Sequence, residues 1–341
     1  MNGKYGRLFR RLLPQIITLI VVLVLNVLLF PDFFNISLQN GRLYGSVIDV
    51  LNRGAPVALV AIGMTLVIAT KGIDLSVGAI VAICGAVAAA STVAGHSIAY
   101  TLTLALLTGI ACGFWNGFLV SVLNIQPIVA TLVLMVAGRG IAQLITEGAI
   151  LTFTDDSLIF IGSGTAFHLP MPVVIWVLFG AVVTLIVRRT ALGLLVEAVG
   201  INRHASQLSG VRTTALLMGA YMLSGLCAAI AGLIVAADIK GADANNAGLW
   251  LELDAILAVV VGGNSLLGGR FSIIGSLLGA MIIQAINTGI LTSGFPPEYN
   301  LIIKAVIIVT ILVIQSPRIG DVGALIKLIK PGQTVGKGSH Q

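Results

Sequence analysis

Long apolar runs separated by short polar links fill most of the chain. The first run, at about 12–30, follows the basic residues Lys4, Arg7, Arg10 and Arg11. Further runs lie at about 55–70, 75–94, 99–123, 125–145, 171–187, 213–237, 255–261, 272–291 and 300–315. Since a helix needs about 20 apolar residues to cross the hydrocarbon core, the pattern predicts an all-α, polytopic transmembrane bundle of about ten spans.

Two places in this pattern leave the number of spans open. The run at 255–261 is short for a full crossing, and only 71–74 separates the runs at 55–70 and 75–94. Residues 55–94 therefore form either two full spans or a broken or re-entrant helix. Lipid tolerates the second arrangement only where protein or water surrounds the backbone.

The composition excludes an ordinary soluble protein. Charged residues make up 9% of the 341 residues, against about 25% in globular domains. Hydrophobic residues reach 57%, and glycine occupies 40 positions. No soluble catalytic domain of about 100 residues fits between the runs. The three cysteines lie inside apolar runs without metal-binding spacing, so we expect neither a metal site nor a disulfide framework.

The distribution of charge predicts the orientation in the membrane. The formal net charge is +6, and Lys and Arg concentrate in short cytoplasmic segments of membrane proteins. The first run is too long for a secretory signal, so we expect a retained first helix and both termini in the cytoplasm. The predicted parts are a basic cytoplasmic start at 1–11, a transmembrane domain at 12–315 with a cytoplasmic loop at 188–212, and a basic cytoplasmic tail at 316–341.

Several polar side chains lie within the spans or at their ends. Such groups usually face a bundle interior or a water path, although they can also hydrogen-bond one another. The candidates for lining a translocation path are Asn116, Arg139, Gln143, Asp254, Gln284 and Asn287.

The cytoplasmic segment at 190–211 is more elaborate than a simple connection between two spans. Its pattern predicts a short helix, a turn at Gly200-Ile201-Asn202 and a second short helix. A loop that only connects two spans needs a handful of residues. The segment therefore offers a surface for a cytoplasmic partner.

Three stretches carry a resemblance to a known family. They are 72–78 (GIDLSVG), 197–211 and 253–270 (LDAILAVVVGGNSLLGGR). Together they resemble the permease subunits of bacterial ATP-binding-cassette (ABC) sugar importers of the ribose, xylose and galactofuranose kind. The likeness extends from the first span to about residue 317. The loop at 241–252 and the turn at 294–298 most resemble galactofuranose permeases.

This resemblance implies a role for the cytoplasmic loop. In the family it is a coupling element held by an ATPase subunit, and the residues implied in the contact are Glu197, Ala198, Gly200, Asn202, Ala205 and Gly210. The Gly-rich turn ending in Arg270 is then a second cytoplasmic element near that interface.

The resemblance also implies the partners and the location. They are an ABC ATPase subunit, a periplasmic sugar-binding protein that meets the outer loops, and a second permease in a homodimer or a heterodimer. The location is the bacterial inner membrane, and the cargo is a monosaccharide. We expect that the chain is not an enzyme and holds no cofactor, because ATP is bound by the ATPase subunit.

Two other functional classes compete with this interpretation. A secondary transporter driven by an ion gradient usually carries acidic residues inside its spans, whereas Asp74 and Asp254 lie at the ends of runs. For an intramembrane enzyme, Ser163 and His168 superficially resemble a catalytic pair, but both lie in a polar outer loop. The tail sequence at 332–337 misses the spacing of a phosphate-binding loop.

The orientation gives a first prediction. A reporter enzyme that is active only outside the cytoplasm, fused after Gln341, should give no activity in intact cells, because both termini are predicted inside. A fusion to the loop at 147–170 is the matched positive control. Activity from the fusion after Gln341 would contradict the predicted orientation.

Overall fold

The computed structural model describes residues 2–39, 41–294 and 298–315. This part of the chain is mostly helical, as predicted. The helices are α1 (Asn2–Leu29), α2 (Ser46–Arg53), α3 (Ala55–Ala69), α4 (Val77–Val93), α5 (Ile98–Ser121), α6 (Pro127–Ile145), α7 (Asp156–Ser163), α8 (Met171–Arg189), α9 (Leu192–Ile201), α10 (Arg203–Leu208), α11 (Thr213–Asp238), α12 (Leu251–Val261), α13 (Ile273–Thr292) and α14 (Glu298–Gln315).

Three small antiparallel strand pairs tie loops together. They are β1 (Ser37–Gln39) with β2 (Arg42–Tyr44), β3 (Leu151–Thr152) with β6 (Gly241–Ala242), and β4 (Thr165–Ala166) with β5 (Leu169–Pro170). The pairing of β3 with β6 joins the loop after α6 to the loop after α11, in register Leu151 with Ala242. The long polar loops of the sequence are therefore ordered where the structure describes them.

Helix length alone gives fewer spans than the predicted ten. Within the described ranges, six helices are long and apolar enough to cross a membrane, namely α1, α5, α6, α8, α11 and α13. The pair α2 and α3, bent by 42°, raises the number to as many as seven. Helices α4, α9 and the apolar part of α14 are shorter.

The chain divides into two compact units. The first, Met1–Phe295, contains α1 to α13, and the second, Pro296–Gln341, contains α14. Much of the turn predicted at 294–298 and the whole basic tail at 316–341 lie outside the described residues.

The core of the first unit is built from α3, α4, α11 and α13. Every residue of α3 except Pro56 is buried, and most of α4 and α13 is buried as well. These helices are apolar on all sides, which is typical of helices surrounded by other helices. Apolar side chains exposed on α1, α5, α6 and α8 give those helices an outward face suited to lipid.

Glycines let α5 and α11 approach closely. A Cβ atom at Gly109 or Gly113 would collide with the backbone of Gly225 or Tyr221, and one at Gly225 would collide with the carbonyl oxygen of Gly109. Small residues at four-residue spacing allow such contact between helix backbones. The glycine stripe at 109, 113 and 117 is therefore a packing seam.

Two helices begin inside the bundle rather than at its ends. Asp74, just before α4, bonds to Ser224, which lies near the middle of the 26-residue α11. Gly78 in the first turn of α4 packs against Gly248, which lies just before α12. The amino ends of α4 and α12 thus meet within the protein, and non-helical chain leads to each of them.

The close contact of α5 with α11 gives a second prediction. Gly225→Ala should lower the free energy of unfolding by about 1–3 kcal/mol, because the new methyl group overpacks the seam. Gly219→Ala in the same helix is the matched control, since a Cβ atom there meets nothing within 4 Å. Thermal unfolding of the purified proteins in detergent measures both changes. Equal melting temperatures for the two variants would contradict this account of the seam.

Candidate functional site

The segment at 190–211 forms two short helices, as predicted, but the break between them is at Asn202 alone, because Gly200 and Ile201 continue α9. Helix α9 ends at Ile201, and Asn202 adopts an extended conformation between α9 and α10. The side chain of Asn202 caps α10 by accepting a hydrogen bond from the amide of Ala205 (3.0 Å). Asn at this position is a favoured cap because its oxygen satisfies a free amide of the first turn. We call α9, Asn202 and α10 the hairpin.

The residues predicted to contact an ATPase differ in their exposure. Asn202, Ala205 and Gly210 are exposed, Glu197 and Ala198 are partly buried, and Gly200 is buried. The hairpin also exposes large apolar side chains, with Ile201 65% and Leu208 79% exposed. The hairpin therefore presents a mixed polar and apolar surface of the kind that protein partners cover.

Gly200 is an internal packing residue. A Cβ atom at Gly200 would collide with the carbonyl oxygen of Ala69 at the end of α3 and with the amide of Gly269. The amide of Gly269 itself donates to the carbonyl oxygen of Ala69 (2.9 Å). Gly200 thus joins the hairpin to α3 and to the Gly-rich turn at 262–270, and only glycine fits there.

The Gly-rich turn adds its own exposed apolar side chains beside the hairpin. Leu266 is 46% exposed and Leu267 is 81% exposed. Gly268 and Gly269 have φ values of 78° and 91°, a left-handed conformation that favours glycine. The turn keeps its shape through these glycines and carries Leu266 and Leu267 at its surface.

Arg139 and Gln143 hold the loop between β6 and α12 against α6. Arg139 Nη1 donates to the carbonyl oxygens of Ala244 (2.9 Å) and Ala247 (2.7 Å), and Gln143 Nε2 donates to Asn245 Oδ1 (2.7 Å). The carboxylates of Glu252 and Asp243 are the acidic neighbours of Arg139. We call residues 243–250 the pinned loop.

Asp243 orders the pinned loop from within. Its carboxylate accepts hydrogen bonds from the amides of Asn245 (3.0 Å) and Asn246 (3.1 Å) and from Asn246 Nδ2 (2.8 Å). The side-chain bond from Asn246 is the main cause that lowers the pKa of the Asp243 carboxyl. A lowered pKa keeps this carboxylate ionised to a lower pH than an ordinary Asp carboxyl.

The other predicted path residues lie elsewhere. Asn116 is fully buried and donates to Ser76 Oγ (2.7 Å). Gln284 is buried on α13 near Thr288 (3.5 Å), and Asn287 has a buried side-chain oxygen without a partner in the described part of the chain. Asp254 is half-buried in the first turn of α12. The six predicted residues therefore do not converge on one site.

Asp74 is an important buried residue that sequence reasoning placed at the end of a run. The structure does place Asp74 between α3 and α4, and it shows in addition that this residue is 0% exposed. Its carboxylate accepts hydrogen bonds from Ser76 N (3.1 Å), Ser76 Oγ (2.6 Å), Asn116 Nδ2 (3.5 Å) and Ser224 Oγ (2.8 Å). Because the bundle encloses this carboxylate, its place between two runs carries no weight against an ion-driven transporter.

A comparison with protein families decides the identity at the family level. Residues 46–312 match the family described as branched-chain amino acid transport system, permease component. The chain belongs to this permease family.

Three curated relatives of this permease have names that refer to sugars. It is 61% identical to the galactofuranose transporter permease protein YtfT of Escherichia coli K12, covering 90% of each chain. It is 40% identical to the fructose import permease protein FruF of Bifidobacterium longum, covering 92% of this chain and 90% of the relative. It is 36% identical to the ribose import permease protein RbsC of Haemophilus influenzae, covering 86% and 89%. The resemblance to sugar import permeases is confirmed.

A solved structure shares the fold of this permease. It is titled an inward-facing conformation of a putative metal-chelate type ABC transporter, and it aligns with a TM-score of 0.50 over 90% of this chain and 99% of its own. The sequence identity is 15%, so the likeness concerns the fold alone. The chain is therefore a helical membrane protein and a transport subunit of the sugar ABC importer kind.

The serine and the histidine of the rival enzyme interpretation do not form a pair in the structure. Ser163 Oγ bonds to the carbonyl oxygen of Ile159 in its own helix (3.1 Å), whereas His168 Nδ1 bonds to the carbonyl oxygen of Gly41 (2.8 Å). A nucleophile and its base need mutual hydrogen-bond contact. These two side chains are engaged with different backbone groups.

The pinned loop gives a third prediction, with Ala244→Cys as a reporter because Ala244 is 3% exposed. Each hydrogen bond from a charged donor contributes about 1.5–3 kcal/mol, so Arg139→Gln should raise labelling of Cys at 244 by an impermeant maleimide about tenfold or more. Gln143→Ala is the comparison variant and should raise it less. The chain without the reporter gives the background. If the reporter at 244 is labelled equally with and without Arg139→Gln, the role of Arg139 in holding the pinned loop is contradicted.

Proposed function

We propose that this chain is the permease subunit of an ATP-driven importer for galactofuranose in the bacterial inner membrane. The observation that carries the choice of sugar is the 61% identity to a galactofuranose transporter permease over 90% of both chains. Identity to the fructose and ribose permeases is lower, at 40% and 36%. The chain itself holds no cofactor, and ATP is bound by a partner subunit.

The membrane topology we propose has ten crossings with both termini in the cytoplasm. Six come from the long helices, and α3, α4, α12 and α14 add four, so that six plus four gives ten. The short helices α4 and α12 complete their crossings with non-helical chain, which a membrane accepts where protein surrounds it. Residues 1–11 and 316–341 are the two cytoplasmic ends.

The proposed partners meet opposite ends of the permease. The ATPase subunit docks on the exposed part of the hairpin, at Asn202, Ala205 and Gly210 with Glu197 and Ala198 at the edge, while Gly200 supports the hairpin from within. Leu266 and Leu267 of the Gly-rich turn extend this surface. On the outer side, a sugar-binding protein meets the loops that the strand pairs order.

The translocation path we propose runs beside the pinned loop, with a second permease on the other side. Support comes from Arg139 and Gln143, which present polar groups to the pinned loop from α6. Polar side chains on a spanning helix are tolerated where they face water or protein. The second permease is either another copy or a different chain, and the sugar passes between the two.

The energy source gives a fourth prediction. Sugar uptake in cells that express the complete importer should continue when the proton gradient is collapsed and stop when ATP is depleted. The reverse result would favour the alternative, an ion-gradient-driven transporter of a small polar solute. This measurement is needed because the burial of Asp74 removes the sequence argument against that class.

The choice of sugar has its own test. The binding protein and the ATPase should co-purify with this permease, and mass spectrometry should identify the sugar carried by the binding protein as galactofuranose. A different pentose or hexose in that protein would overturn the choice of sugar and leave the importer class intact.

A further inference from the structure

The chain between α3 and α4 leaves the helical conformation inside the bundle. We call residues 72–76 the inner segment. Gly72, Asp74 and Ser76 are buried, and a Cβ atom at Gly72 would meet the hydroxyl of Tyr221 (2.5 Å). A connection of this length reaches at most about 17 Å, so it has little slack to absorb movement at either end.

Lys71, the residue just before the inner segment, attaches this segment to the hairpin. Lys71 Nζ donates to the carbonyl oxygen of Ile201, the last residue of α9 (3.0 Å). Gly268 packs against the Lys71 side chain. Lys71 has a φ of 65°, a left-handed conformation that is uncommon for a residue with a side chain. The backbone is therefore held in a sharp turn at the point where it contacts the hairpin.

The inner end of the segment is attached to three helices at once. Asp74 accepts hydrogen bonds from Asn116 on α5 and from Ser224 on α11. The amide of Leu75 donates to Thr131 Oγ1 on α6 (3.2 Å). Asp74 also accepts hydrogen bonds from the amide and the hydroxyl of Ser76, the residue just before α4. A polar cluster that is bonded on several sides in a low-dielectric interior is rigid.

Beyond the polar cluster around Asp74, α4 meets the chain that leads into α12. Gly78 packs against Gly248 of the pinned loop, and a Cβ atom at Gly78 would collide with the Glu252 carboxylate. A shift of α4 along its axis therefore presses directly on the pinned loop and on the start of α12. The hairpin and the pinned loop lie at opposite ends of one short chain of direct contacts.

We infer that the inner segment is the connection through which movement of the hairpin reaches α4 and the pinned loop, with Lys71 and Asp74 as its positioning residues. The inference rests on the proposed function, because it assigns the ATPase to the hairpin. Loss of the Lys71 contact or of an Asp74 hydrogen bond should leave the rate of ATP hydrolysis unchanged and reduce the amount of sugar moved per ATP hydrolysed. Packed elements transmit small displacements in this way when they have two discrete arrangements.

The test uses the whole importer in proteoliposomes, with the binding protein added and radiolabelled galactose, which includes the furanose form, as the probe. ATP hydrolysis and uptake are measured together. Ser224→Ala removes one donor to Asp74, and Lys71→Met removes the donor to Ile201. Thr101→Val is the matched control, since it removes a buried hydroxyl bond to Ser91 at the other end of α4 (2.8 Å). Lys71→Arg keeps a donor.

The expected result is that Ser224→Ala and Lys71→Met each lower the ratio of uptake to hydrolysis about threefold or more, the scale of one lost hydrogen bond. Thr101→Val and Lys71→Arg should keep the ratio of the unmodified protein. An unchanged ratio in Ser224→Ala, or an equal fall in Thr101→Val, overturns the inference. Absence of ATP-dependent uptake by the unmodified protein contradicts the proposed function instead.

Discussion

The structure depends on one constraint: backbone that leaves the helical conformation inside an apolar bundle must bond its polar groups internally. An unsatisfied group in such surroundings costs several kcal/mol. Within residues 72–76, the amide of Leu75 donates to Thr131 Oγ1 and the amide of Ser76 donates to Asp74 Oδ1. Because this polar cluster exists, α4 can begin in the interior, and because α4 begins there, α12 can meet it.

The second determinant of the fold is the presence of glycine where two backbones come into contact. Gly109 with Gly225, Gly78 with Gly248, and Gly200 with Ala69 are contacts in which a methyl group would collide with a neighbouring backbone. In lipid no hydrophobic force drives helices together, so close backbone packing carries much of the association. The same device joins helices within the bundle and joins the hairpin to the bundle.

Much of the fold was predictable, because apolar runs and polar links are local features. The runs at 55–70 and 75–94 correspond to α3 and α4, and the hairpin was expected from its pattern. The roles of Asp74 and Gly200 were not predictable. Asp74 finds its partners 42 and 150 residues away along the chain, and Gly200 is defined by Ala69 and Gly269. Contacts at such separations leave no local periodic signal. The helices α2 and α7 were missed because they are short and lie in polar stretches.

The most direct test of this account is to measure amide hydrogen exchange at Leu75 and Ser76 in the membrane-embedded protein. Both amides lie in non-helical chain, and both donate to side-chain oxygens within the bundle. The account predicts that they exchange as slowly as the amides of α11. The exposed residue Ser97, in the link between α4 and α5, provides the fast reference. Exchange at Leu75 and Ser76 as fast as at Ser97 would contradict the anchored inner segment on which the account depends.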